Sequence, residues 1–136
     1  MREILFRGKW GQNGCGGWIE GYLVAAGNAA VILRPVENKI IVEEFEVGPS
    51  TVGQYTGQKD INGKRIFEGD IVSFKRVNAL GYTTSRIGDV RYYDKLPIFY
   101  IMATTGDAWD WVDCEEIEVI GNIHDNQELM KQEAGK

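Results

Sequence analysis

Carboxylates crowd one short part of the chain. In "GDAWDWVDCEEIE", Gly106 to Glu118, the residues Asp107, Asp110, Asp113, Glu115 and Glu116 follow one another at short intervals. Such a cluster has two chemical uses, holding a hard metal ion or working as a general acid and base pair. A half-exposed strand explains the later members without chemistry, because every second side chain points to water. The cluster is therefore read as a solvated face. Trp109 and Trp111 flank Asp110, which puts both rings on one side of a strand, facing the core, a base stack or another subunit. With acids on both flanks, a polyanion is the poorest of these partners, so a core or subunit contact is expected.

The other reactive residue types are scarce. His124 is the single histidine, so one chain cannot build a two-histidine metal site or a zincin helix. Cys15 and Cys114 lie far apart and neither has a CxxC partner, which points to two idle thiols rather than zinc or a disulfide framework. A Cys–His pair would need one of them to meet His124, and neither is flanked by the residues of a nucleophile elbow. No catalytic residue, metal or cofactor is expected.

The run "YTGQKDINGKRIFEGDIV", Tyr55 to Val72, also resembles a site. Asp60-x-Asn62-Gly63 overlaps the calcium-loop pattern, but with Gly63 at its sixth position Gln58 falls at the first and Gly69 at the twelfth. The leading Asp and the bidentate Glu are both missing. The glycines also fail as a phosphate loop, since no G-x-x-x-x-G-K-[ST] or G-x-G-x-x-G is present. Turns explain them. Asn62-Gly63 predicts a type I′ hairpin between a strand ending near Ile61 and one running Lys64 to Phe67. Gly69 supplies a second turn, and Asp70 can accept hydrogen bonds from nearby amides.

The elements that must carry these residues read as β. "WIEGYLV" (18–24), "AVILR" (30–34), "IIVEEFEV" (40–47), "DIVSFKR" (70–76), "VRYY" (90–93), "IFYIM" (98–102) and "EEIEVI" (115–120) are short and rich in Val, Ile, Phe and Tyr. Val72 and Phe74 alternate with Ser73 and Lys75, as strands with one buried face do. With Ile66 or Phe67 they would seed a small, strongly bent barrel of the SH3-like kind. "RPVENK" (34–39) predicts a hairpin loop, and "VGPSTVG" (47–53) a linker. One short helix is expected near the end, capped by Asp125 with Glu128 completing a capping box.

At 136 residues and 43% hydrophobic content, the chain can bury the core of one domain or two small subdomains. No apolar run is long enough for a membrane helix, and "MREILFRGKW" lacks the apolar stretch of a signal peptide, so a cytoplasmic protein without membrane contact is expected. The net charge of −5 is unevenly spread: residues 1–54 carry five basic and six acidic groups, 55–93 seven and four, and 94–136 three and ten. The basic middle holds Lys59, Lys64, Arg65, Lys75, Arg76, Arg86 and Arg91, the contacts a nucleic-acid reading would use. Against that reading stand the acidic end and the sparse interleaving of aromatic with basic residues. Opposite patches can instead steer one subunit onto another.

Three blocks give the chain a resemblance. "MREILFR" (1–7), "TVGQYTGQKDINGKRIFEGDIV" (51–72) and "EVIGNIHDNQELM" (118–130) are similar, in order and spacing, to the opening, central motif and closing segment of the YopX-like proteins of bacteriophages and prophages. The resemblance implies a β-rich fold with an SH3-like barrel, a phage or prophage source, assembly into a homo-oligomer and no established catalysis. It carries over no functional residues, only a framework of Tyr55, Gly57, Asp60, Asn62, Gly63, Gly69 and Asp70. The reading as a whole is a mainly β protein: an N-terminal β-rich subdomain (1–50), an SH3-like barrel (51–124) and a short helix and tail (125–136). It is expected to be an oligomeric, non-catalytic interaction module whose partner is itself, with nucleic-acid binding as the alternative.

Overall fold

A computed structural model describes residues 3–11 and 14–134. Met1 and Arg2 of the opening block, and Gly135 and Lys136 of the expected tail, lie outside the described residues. The chain is mainly β and divides into two compact units, Met1–Gly57 and Gln58–Lys136. Strand β5 carries the chain from the first into the second.

Unit 1 is built from β1 (Phe6–Lys9), β2 (Trp18–Ala26), β3 (Ala29–Pro35), β4 (Val42–Val47) and β5 (Gly53–Lys59), in the antiparallel order β4-β3-β2-β1-β5. Ala30, Ile32 and Val47 form its buried centre, with Phe6, Ile19, Leu23, Phe45 and Val52 packed around them. Register explains the selection, since Ile32 pairs with Leu23 on one side and Phe45 on the other and places all three on one face. The linker expected over Val47–Gly53 is a packed corner instead. A 3-10 turn spans Pro49–Thr51, and the buried Thr51 hydroxyl donates to the Gly48 carbonyl at 2.6 Å and accepts the Lys9 amide at 2.9 Å. Hydrogen bonds back to β1 fix this corner, which composition alone gave as a linker. The hairpin loop between β3 and β4 runs longer than expected. Val36 N–H reaches the Ile41 carbonyl at 3.0 Å and Asn38 adopts φ 63°, so Ile40 and Ile41 belong to the loop and β4 starts at Val42.

Unit 2 contains β6 (Arg65–Phe67), β7 (Asp70–Val77), β8 (Thr83–Tyr93), β9 (Ile98–Ala103), β10 (Ala108–Asp110), β11 (Glu115–Asn122) and α1 (Glu128–Ala134). Five strands form an antiparallel sheet in the order β10-β9-β8-β7-β11, which stays open among the described residues. One face carries the core: Ile66, Val72, Phe74, Val90, Ile101, Ala103 and Ile117, with Phe99, Trp109, Trp111, Cys114 and Val119 packed on it. Two register shifts bend β11, and Glu116 lies within the first of them at φ 50°. β8 is far longer than "VRYY" suggested, because its first half, Thr83–Asp89, is polar and glycine-containing yet pairs along the full length of β7.

Candidate functional site

The motif from Tyr55 to Val72 is a frame for the backbone. Tyr55 is buried in β5 and its amide donates to the Leu5 carbonyl at 2.8 Å; Gly57 sits in the same strand with φ 89°. Asp60 opens the turn that follows. Its Oδ1 accepts the amides of Asn62 and Lys64, both at 2.9 Å, and its Oδ2 accepts the amide of Val119, also at 2.9 Å, tying the turn to β11. Burial by itself pushes the Asp60 carboxyl up, and the three amide donors with the nearby Lys64 charge outweigh it, holding the group below the ordinary aspartate value. The turn is therefore not the type I′ hairpin read from Asn62-Gly63. Gly63 has φ 80° while Asn62 keeps a negative φ, and Gly63 N–H closes onto the Asp60 carbonyl at 3.0 Å. That is a longer loop with one left-handed glycine, selected by the Asp60 side chain.

Gly69 and Asp70 form the second corner. Gly69, at φ 92°, donates to the Val90 carbonyl and accepts from Ile123, while Asp70, 1% exposed, accepts the Phe67 amide at 2.8 Å. Among the described residues no group of His, Cys, Asp and Glu could hold a metal ion.

The remaining candidates are dispersed. Half-buried Cys114 has its Sγ 3.4 Å from the Asp110 carbonyl, and burial, then the Asp113 and Asp110 charges, push its thiol up to about 11. A thiol that stays protonated at neutral pH is a poor nucleophile. His124 donates its amide to Asn122 Oδ1 in the turn before α1. The helix starts later than expected, at Glu128, three residues beyond Asp125, and Asp125 accepts a bond from the Asn122 side chain at 3.1 Å. Of the acidic cluster, Asp107 is held below the usual carboxylate range, first by the Thr105 hydroxyl and further by Trp109 and Arg86. Trp109 and Trp111 both pack on the core, although β10 ends between them and Trp111 starts a 3-10 turn.

The seven basic residues do not form one free surface. Lys75 reaches Glu116 at 2.7 Å, which raises its ammonium pKa, and Arg91 forks onto buried Asp89 at 2.7 and 3.3 Å. Arg76 lies over the Trp109 ring at 4.0 Å, in a cleft shared with Asp113 and Glu115. Arg86 is close enough to Asp107 to lower its pKa. Lys59 and Lys64 are exposed at the motif turn, and Arg65 is half-buried in β6.

The opposite face of the unit 2 sheet carries a feature that the sequence reading missed. A cleft of about 360 Å³ is lined by Tyr93, Leu96, Ile98, Tyr100, Met102, Ala108 and Asp110. Register places it, because Tyr93 pairs with Ile98, Tyr100 with Asp110 and Met102 with Ala108, so their side chains share one face. Leu96 is 60% exposed and Ile98 41%. The signal was present in "IFYIM", where every residue is apolar, so both faces of β9 seek cover.

Fold and site together define a two-unit, mainly β protein whose most characteristic residues hold turns and which carries an apolar cleft on one sheet face. The model of the YopX protein family matches residues 24–131, and the chain belongs to that family. The match starts within β2 and leaves the opening block outside it. No curated protein matches the chain. Among the described residues no helix is long and apolar enough to cross a membrane.

Proposed function

We propose that this member of the YopX family is a cytoplasmic phage or prophage protein acting as a homo-oligomeric, non-catalytic interaction module, with unit 2 related to SH3-like barrels. Connectivity supports the kinship. A four-strand meander, β7 to β10, a single 3-10 turn at Trp111–Asp113 and the return of β11 beside β7 give the strand order of such a barrel. The reading as an interaction module rests on the apolar cleft, since a contiguous apolar patch open to water marks a surface that a partner covers. The uneven charge distribution contributes little, because Lys75 pairs with Glu116, Arg76 shares a cleft with Asp113 and Glu115, and Arg86 lies near Asp107, all within unit 2. Light scattering coupled to gel filtration is expected to give a mass above 15.3 kDa that persists at high salt, as an apolar contact should. A single 15.3 kDa species at every concentration and ionic strength overturns the reading.

The nucleic-acid alternative has less support. The Trp109 face that could stack on a base already carries the Arg76 guanidinium, and most of the basic residues have carboxylate neighbours. Fluorescence-anisotropy titration with single- and double-stranded oligonucleotides at low salt is expected to show no saturable binding. A binding curve with a steep salt slope would reverse that ranking.

A further inference from the structure

Among the apolar residues that lie outside both cores, two groups stand out. One is the β3–β4 loop, where Ile40 is 105% exposed, Ile41 57% and the adjoining Val42 50%. Three consecutive branched aliphatic residues in water are unfavourable unless something covers them. The loop is not slack, since Val36 N–H bonds to the Ile41 carbonyl and Lys39 N–H to the Val36 carbonyl, so its shape is set before any contact forms. The other is the cleft on the β8-β9-β10 face.

We infer that the β3–β4 tip of one copy seats in the β8-β9-β10 cleft of a second copy. The inference rests on the homo-oligomer reading and names the surfaces that meet. Size favours the pairing, because a cleft of about 360 Å³ takes more than one branched aliphatic side chain and the tip offers them side by side. Charge permits it: the loop carries Lys39 beside Ile40 as well as Glu37, and Asp110 is the charged residue among those that line the cleft. The competing self-contact, pairing two copies of the edge strand β4, is disfavoured, because Gly11 N–H and the Trp10 bridge already occupy its Glu46–Val47 end and exposed Glu44 of both copies would come close. Tip and cleft are different surfaces, so the contact is head to tail. Copies joined this way close into a ring or extend as a chain.

Complementation of two variants tests the pairing. Ile40→Asp disables the tip and Leu96→Asp the cleft, both at exposed loop positions where circular dichroism should show an unchanged fold. Each variant alone is expected to run at 15.3 kDa, with self-association weakened more than about tenfold by a charge forced into an apolar contact. Mixed in equal amounts, the intact cleft of one variant and the intact tip of the other restore a single interface, and a species of twice that mass appears. An oligomeric wild type with either variant still at wild-type mass, or with a mixture that stays monomeric, overturns this pairing and leaves the homo-oligomer reading standing. A monomeric wild type overturns both.

Discussion

Replacing Asp60 by alanine is expected to destabilise unit 2 by about 3 kcal/mol, read as a shift in the urea midpoint at neutral pH. One carboxylate accepts three backbone amides, those of Asn62, Lys64 and Val119, and the residue is 8% exposed. Removing an acceptor leaves buried donors unpaired at about 1–3 kcal/mol each, discounted here because water can reach the amides of exposed Asn62 and Lys64. Since whole domains are stable by only about 5–15 kcal/mol, that is a large share. Asp60→Asn keeps one carbonyl oxygen and turns an NH2 group toward a donor, so about 2 kcal/mol should be lost. Acid adds a second readout. The folded carboxyl lies below the ordinary value of 3.8, so its stabilisation is complete above that pH and fades as the pH falls through the folded value. Asp60→Asn should lack that part of the acid dependence. A urea midpoint for Asp60→Ala within about 0.5 kcal/mol of wild type would refute the account.

Asp60 also shows how far the sequence could be read. Its type and its place before Asn-Gly marked a turn, because the Asx side chain competes for nearby amides. The third bond, to Val119, spans 59 positions and depends on β11 returning beside β7, which no local pattern encodes. The same division runs through the fold. β2, β3, β7 and β9 were legible as apolar runs with turn residues at their ends, whereas the first half of β8 was not, because its pairing with β7 overrides a weak strand preference. The charge division was plain in the chain and misleading about its use, since nothing local says that Lys75 will stand against Glu116. The apolar cleft needed the register of β8, β9 and β10 before Tyr93, Tyr100 and Met102 could be placed on one face. Tertiary pairing decides each of these cases, and a chain read without it yields residue types but not neighbours.

Two glycines turn this contrast into a measurement. Gly57 lies in the diagnostic motif and Gly88 in an unremarked stretch of β8, so the sequence ranks Gly57 as the more sensitive. The structure reverses the order. Gly88 pairs with Val72 on one side and Ala103 on the other, and a Cβ there would stand 2.6 Å from the Met102 carbonyl oxygen, 2.7 Å from Ile101 Cγ2 and 3.0 Å from Ala103 Cα. Two of those three atoms are backbone, held by the β8–β9 ladder, and the third belongs to a fully buried side chain, so the clash cannot relax cheaply. Gly88→Ala is expected to lose about 3 kcal/mol or more and to open the ladder that forms the apolar cleft, so tip-to-cleft association should fall with it. Gly57, at φ 89°, has no heavy atom within 4 Å of a built Cβ. Gly57→Ala then costs only the left-handed backbone penalty of about 1–2 kcal/mol. Thermal melts of the two variants decide the ranking: a Gly88→Ala protein as stable as Gly57→Ala would mean that β8 and β9 can part at the centre of the sheet, and the cleft between their exposed faces would then lack the fixed shape on which the proposed contact depends.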